Sequence, residues 1–375
     1  MKILVISTMP HDKEGRINRL LHQIKNHDIY IYSPEVSNKN PENNYYSVSK
    51  EIPIGYIAQI KFYLKFKKQF KKNHDKNFFD IILVLNYSSL PFCKIAKKRN
   101  KNAEIIYDSF ELIVKTRSEK KTLRDKFYIK QEKLIAEKSN YIIAANNERA
   151  LIMQGYYRLD KKPYVIQNMP LELSIVQTKE IKENERISIV YIGYVSKTRK
   201  IENLVNCVYN NKEIWDLYIY GDGDYYEELL NYIEKMNMQN IYLEGRYNQN
   251  EIEKILSKHH IGYICYDTKG LNNIYCEPNK IYDYTFNYLP IISYYHPKLY
   301  GIFKEHKIGI ALDDIEESLH RIVKEYKDYQ EQLLKYNEKI KQEMIDNQQV
   351  LTLIIEDIKD KKKRERKGIN DSKIR

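Results

Sequence analysis

The chain is predicted to be α/β, with two doubly wound, parallel-sheet, Rossmann-like domains in tandem. Three observations predict this. Short runs of Ile, Val and Leu alternate with longer amphipathic stretches, which means parallel strands with helices on both faces. The alternation lapses once, over a polar stretch, and then restarts. The length, 375 residues, exceeds one ordinary core and suits two domains of roughly 150–180 residues.

In the first half, Ile3–Ser7 reads as a strand, and Arg16–Asn26 as a helix with Ile17, Leu20, Leu21 and Ile24 on one face. Ile29–Tyr32, Asp80–Leu85, Glu104–Tyr107, Tyr141–Ala144 and Pro163–Ile166 read as further strands, with a helix from Pro91 to Arg99. In the second half, Ile187–Ile192, Leu217–Tyr220, Ile241–Glu244, Ile261–Cys265 and Pro290–Ser293 are strands. Ile201–Tyr209, Glu227–Met236 and a segment after Lys280 are helices between them. The expected boundaries are 1–171 for the first domain, 172–186 for a linker and 187–345 for the second domain. A C-terminal helix and a basic, unstructured tail over 346–375 complete the chain. Two doubly wound domains in succession predict a cleft between the carboxyl ends of two sheets.

Composition narrows the function. Hydrophobic residues make up 42% and aromatics 12%, enough for two cores. The net charge of +12 calls for an anionic partner: nucleic acid, anionic lipid or a phosphorylated substrate. No nucleic-acid-binding motif is present. The four cysteines, Cys93, Cys207, Cys265 and Cys276, form no metal or disulfide pattern and fit a reducing, cytoplasmic setting. The first apolar run is too short for a signal peptide, and no stretch predicts a membrane-spanning helix.

The second half carries the chemistry. Gly193 follows the strand ISIVYI, where a glycine allows a tight turn and close approach of a ligand. Arg199 lies six residues on, at the start of a helix, so guanidinium and helix N-terminus together fit a diphosphate. A solvated basic turn is the alternative. Gly221-Asp222-Gly223-Asp224 reads as a βα turn rather than a metal-binding pair of aspartates. Glu244-Gly245-Arg246 ends another strand and brings Arg246 within reach of a phosphate, unless it is a plain turn. In Glu277-Pro278-Asn279-Lys280, Pro278 suits the first turn of a helix, and the N–H groups at Asn279 and Lys280 with the Lys280 ammonium face an anion. Asp283, a turn further on, fits the hydroxyls of a ribose.

These segments, in this order, resemble the large retaining glycosyltransferase family four, which has the GT-B fold. The matching run is Gly193 with Arg199, WDLYIYGDGD, IYLEGRY, EPNKIYDYTFNYLPIIS and HKIGIAL. DIILVLNYSSLP, IIYDSFEL, EKLIAEKSNYIIAANNERA and VIQNMP follow more loosely, so the resemblance extends to about Asp357. It implies that Arg199 and Lys280 bind the diphosphate of a sugar nucleotide, UDP- or GDP-linked, and that Asp283 binds its ribose. It implies no cofactor and no metal. The PNK-type helix start resembles a subgroup from capsule and polysaccharide clusters. The acceptor is then a glycan precursor, with hexosyl or N-acetylhexosaminyl transfer. Three positions depart from the family. Its first paired glutamate falls on Tyr275, with Glu277 nearby as a substitute; a glycine is replaced by Tyr288; and Phe110 replaces a histidine in Asp108-Ser109-Phe110-Glu111. Glu111 is a candidate for orienting the acceptor, or a solvated carboxylate. Asn168 reads as structural. The departures keep one other reading open, a catalytically impaired partner of another transferase. A nucleotide-sugar 2-epimerase is a further alternative on the same fold, which needs acid/base side chains around the sugar and draws no support from Phe110 and Tyr275.

Gly55–Lys72 (GYIAQIKFYLKFKKQFKK) predicts a basic amphipathic helix. Lys61, Lys65, Lys68 and Lys72 share one stripe; Tyr56, Ile60, Tyr63, Phe66 and Phe70 share another face. It either lies in an anionic membrane surface at the inner face of the cell membrane, aided by the basic tail, or packs its aromatics on the sheet.

Overall fold

The computed structural model describes residues 1–10, 14–37, 39–116, 118–172, 178–248 and 251–373, with side chains described through 365. The chain divides into two units, Met1–Asn168 with Ile345–Arg375, and Met169–Met344. Residues 173–177 of the expected linker lie outside the described residues. From Lys179 the segment is pinned to the second unit, its Nζ donating to the Leu256 and His259 carbonyls at 2.7 and 2.6 Å.

In the first unit the described strands are β1 (Lys2–Ser7), β2 (Asp28–Pro34), β3 (Asn44–Ser49), β4 (Ile81–Leu85), β5 (Glu104–Ser109), β6 (Tyr141–Ala144) and β7 (Tyr164–Val165). They form one parallel sheet in the order β3-β2-β1-β4-β5-β6-β7. The helices are α1 (Gly15–Gln23), α2 (Tyr56–Asn73), α3 (Leu90–Arg99), α4 (Leu123–Ala136) and α5 (Asn147–Tyr157). Strand residues alternate between faces. Ile3 and Val5 of β1 meet Ile17 and Leu20 of α1. On the other face, α2 lays Phe66 against Tyr32 of β2, ring centroids 5.2 Å apart.

In the second unit the elements are β8 (Ile187–Ile192), α6 (Ile201–Asn210), β9 (Trp215–Tyr220), α7 (Tyr226–Lys235), β10 (Ile241–Gly245), α8 (Ile252–Leu256) and β11 (Ile261–Tyr263). Then follow α9 (Leu271–Ile274), α10 (Lys280–Phe286), β12 (Ile291–Ser293), α11 (Pro297–His306), β13 (Gly309–Ala311), α12 (Ile315–Lys324) and α13 (Tyr326–Lys373). The sheet is again parallel, ordered β10-β9-β8-β11-β12-β13. Every residue of β8 is buried, as a central strand covered on both faces requires.

Two expectations need correction. The basic tail is helical: α13 continues through Lys373. Lys361 is held by Glu104 at 2.7 Å, and Lys362 donates to the Asn102 carbonyl at 3.0 Å. The apolar face of α2 is also divided differently. Phe62, Phe66 and Phe70 form its buried stripe, whereas Tyr56 and Ile60 are exposed. Tyr288, where the family has glycine, sits at φ 56°. That left-handed conformation is one glycine adopts freely and other residues adopt at a cost of about 1–2 kcal/mol.

One buried ion pair ties the first unit together. Arg16 of α1 donates from Nε and Nη2 to Asp108 of β5 at 2.9 and 2.6 Å, and from Nη1 to the Ile166 carbonyl at 2.7 Å and Asn168 Oδ1 at 2.9 Å. Asp108→Ala would strand this guanidinium. The expected loss of unfolding free energy, read by chemical denaturation, is about 3–5 kcal/mol.

His74 is buried beside Tyr30, Tyr32, Tyr46, Phe70 and Phe79. Burial first, and the nearby Arg99 charge second, push its imidazole down to about 4. An unfolded histidine titrates near about 6.5, so between those values the unfolded chain takes up a proton that the folded chain refuses. The stabilisation is complete above that pH and is lost as pH falls toward 4. Denaturant midpoints should therefore drop between about pH 7.5 and about pH 5, and His74→Phe should lessen that drop, leaving the part due to other buried histidines such as His259, which burial pushes down to about 3.

Candidate active site

The strand order of the second sheet reverses between β8 and β11, each the start of one half of the winding. Ligands of open α/β sheets bind outside the carboxyl ends of such strands. Gly193 and Arg199 follow β8, and Tyr266 follows β11.

The first requirement there is space. Gly193 adopts φ 123° and Gly221, after β9, φ 142°. A Cβ on Gly221 would lie 1.8 Å from the Gly193 carbonyl oxygen, and one on Gly223 2.0 Å from that of Val195. The two turns run against each other, joined by Gly193 N–H to Tyr220 O at 2.8 Å and Val195 N–H to Asp222 O at 3.1 Å. The glycines of GDGD thus serve backbone approach, the turn reading of that motif. Asp222 accepts from the Gly223 N–H at 2.7 Å and from Arg246 Nε at 2.7 Å.

Into the space at Gly193 comes Lys280. A Cβ added to Gly193 would stand 2.7 Å from the Lys280 ammonium nitrogen. Lys280 opens α10, whose first bond runs from the Ile281 N–H to the Pro278 carbonyl at 3.0 Å. The N–H groups of Asn279 and Lys280 precede that bond, at the positive end of the helix. Arg199 arrives from the other side. Its guanidinium carbon lies 3.8 Å from the centroid of the Tyr266 ring, and Nη1 donates to the Cys265 carbonyl at 3.0 Å. Its own carbonyl accepts from the buried Tyr263 hydroxyl at 2.9 Å. Lys280 Nζ lies 5.5 Å from the Tyr191 ring and 5.7 Å from the Tyr266 ring. The two cations therefore share Tyr266. Lys200, adjacent to Arg199, goes elsewhere, 4.1 Å over Tyr294.

The structure thus assembles Gly193, Arg199 and Lys280. Asp283 stands one turn into α10, where its charge, second to burial, pushes up the Tyr247 hydroxyl. Arg246 is exposed and paired with Asp222 at 2.6 Å. Glu277 is held by the Tyr282 hydroxyl at 2.5 Å, with Lys298 at 3.9 Å. Glu111, in the first unit, is exposed after β5. Burial first and the Glu111 charge second push up both the Glu14 carboxyl and the Tyr87 hydroxyl, so these groups share one electrostatic neighbourhood. Phe110, in the histidine's place, lies 5.4 Å from the Arg16 guanidinium. The sequence does not single out Tyr266, Tyr191 and Tyr247. Each follows or belongs to a predicted strand in a chain with 35 tyrosines, which conceals the ones that matter.

No family model matches the sequence, and no curated protein sequence matches it. Solved structures do match, at identities that speak for the fold. HepE of Anabaena, in complex with UDP and glucose, has TM-score 0.69 and 10% identity over 95% of this chain and 99% of its own. WaaG, a glycosyltransferase involved in lipopolysaccharide biosynthesis, has TM-score 0.63 and 9% identity over 96% and 99%. WaaB, a lipopolysaccharide outer core galactosyltransferase, has TM-score 0.53 and 14% identity over 78% and 80%. The fold is GT-B: two parallel α/β sheets, as in these proteins.

A cation–π contact is worth about 0.5–1 kcal/mol at an exposed site and up to about 2 kcal/mol when desolvated; Arg199 and Lys280 are half-buried, between those limits, and about 1.4 kcal/mol is tenfold in affinity. Two fixed cations suit a diphosphate anion, so Tyr266→Leu should weaken binding of inorganic pyrophosphate about tenfold in calorimetry, with Tyr266→Phe close to the parent. Equal affinity in the leucine variant would mean that the ring does not position the cations.

Proposed function

We propose that the chain is a retaining glycosyltransferase that takes a sugar from a nucleotide donor, UDP- or GDP-linked. The observation carrying this reading is the Lys280 ammonium set against Gly193, with the Arg199 guanidinium stacked on Tyr266. Two fixed cations beside a helix start suit a pyrophosphate. HepE holds UDP in the same fold, which supports the choice of ligand. In this reading Gly193, Asn279 and the N–H groups around Lys280 bind phosphate. Asp283 binds the ribose, Arg246 swings from Asp222 to a phosphate, and Glu277 meets the sugar.

In the reaction, an acceptor hydroxyl forms a bond to the anomeric carbon on the face from which the diphosphate leaves. The carbon–oxygen bond to the diphosphate breaks, and the hydroxyl proton passes to the departing phosphate oxygen. Negative charge grows on the β-phosphate, and Arg199 and Lys280 neutralise it. These cations do what a divalent metal does in other transferases. Glu111 orients the acceptor, which we read as a lipid-linked capsule, exopolysaccharide or cell-wall glycan receiving a hexosyl or N-acetylhexosaminyl unit. Among the described residues no helix is long and apolar enough to cross a membrane, and the proposed setting is the inner face of the cell membrane.

Arg199→Ala and Lys280→Ala should each lower turnover on the order of 100-fold or more while thermal unfolding stays near the parent. Steady-state assays with a panel of nucleotide sugars check this. Near-parental rates in both variants would overturn the assignment. Epimerised nucleotide sugar in the absence of acceptor would replace it with a 2-epimerase.

A further inference from the structure

The positive charge of the chain is concentrated. Residues 52–74 hold six lysines and no carboxylate. Residues 81–103 hold five cations and no carboxylate. These stretches contain α2 and α3, which pack side by side through Phe62 and Phe92, ring centroids 5.2 Å apart. Eleven cations, ten on two neighbouring helices and Lys101 just beyond the second, nearly equal the net charge of +12. All six lysines of α2 are exposed, as are Lys94, Lys98 and Lys101 on and just beyond α3.

The same flank leaves apolar side chains in water. Ile54, Tyr56 and Ile57, at the start of α2, are 81%, 79% and 70% exposed, and Ile60 and Leu64 continue the row. Leu123, the first residue of α4, is 84% exposed, and Phe127 lies one turn on. The two helix starts are neighbours, because Tyr128 of α4 donates its hydroxyl to Gln59 of α2 at 2.7 Å. The stripe that does pack on the sheet, Phe62, Phe66 and Phe70, is separate, so these residues are not needed for the core.

We infer that α2, α3 and the first turns of α4 form a docking face for an anionic lipid bilayer. A polynucleotide would engage the lysines and leave Ile54, Ile57 and Leu123 wet. A bilayer accommodates both sets: headgroup phosphates take the ammonium groups, while Ile, Leu, Tyr and Phe enter the acyl boundary. The long lysine stems reach past the apolar row to the headgroups. The inference uses this surface alone and holds whatever the second unit transfers.

The test is flotation of the full chain with vesicles of phosphatidylcholine, alone or with about one-third phosphatidylglycerol. Binding to the anionic vesicles should exceed binding to the neutral ones by about tenfold or more and weaken as salt shortens the screening length. Lys61→Glu with Lys65→Glu and Lys68→Glu, and separately Ile57→Ser with Leu123→Ser, should each reduce binding about tenfold. Unfolding midpoints and UDP affinity measured on the same samples separate loss of docking from loss of folding or of the donor site. Indifference to lipid charge, or unaltered binding by the lysine variants, would overturn the inference. So would a single-stranded DNA oligonucleotide that displaces the chain from vesicles while the apolar variants bind as the parent does.

Discussion

The carboxyl end of the second sheet depends on three side chains that are absent. With no Cβ at Gly193, Gly221 and Gly223, two βα turns lie backbone to backbone, and a lysine from a third element reaches the same spot. Any larger residue at Gly221 or Gly223 would part the turns, because the obstacle is a carbonyl oxygen held in the adjoining turn. At Gly193 the obstacle is the end of a flexible side chain, but the positive φ remains. The cations follow from that geometry. Lys280 is directed by the helix it opens. Arg199 is held by the Cys265 carbonyl and the Tyr266 ring, so its guanidinium is already ordered.

The chain uses its basic residues in two opposite ways. Arg199 and Lys280 are half-buried among aromatic rings, where water screens a positive charge less than it does on an open surface. The lysines of α2 are free and numerous, so they act collectively and are sensitive to salt. A net charge alone does not distinguish these uses; placement in the fold does.

Much of this was legible in the sequence, and the reasons differ by element. The central strands of both sheets are unbroken apolar runs, so their type and order are plain. β3 (NYYSVS) is a polar edge strand and β13 only three residues long, and neither has such a run. Gly193, Arg199 and Lys280 were visible as exceptions at strand and helix ends. Tyr266 was not, because its role comes from a contact between loops that spacing does not encode. The helical wheel of α2 mixed two apolar sets, since periodicity cannot say which one the sheet covers. Composition alone predicts an unstructured tail, yet its lysines find Glu104 and the Asn102 carbonyl across the surface of the first unit.

The first unit is discontinuous in sequence. Its core takes Leu351, Ile354, Ile355 and Ile358 from the far end of the chain, packed with residues of β1 and α1. During synthesis β1 and α1 emerge more than three hundred residues before the helix residues that pack on them. The second unit, contiguous from Met169 to Met344, has all its parts earlier than the first does. Vectorial production thus inverts the usual sequence of maturation: the domain made first is the one finished last. In the interval its apolar sheet face stands open to chaperones and to other nascent chains.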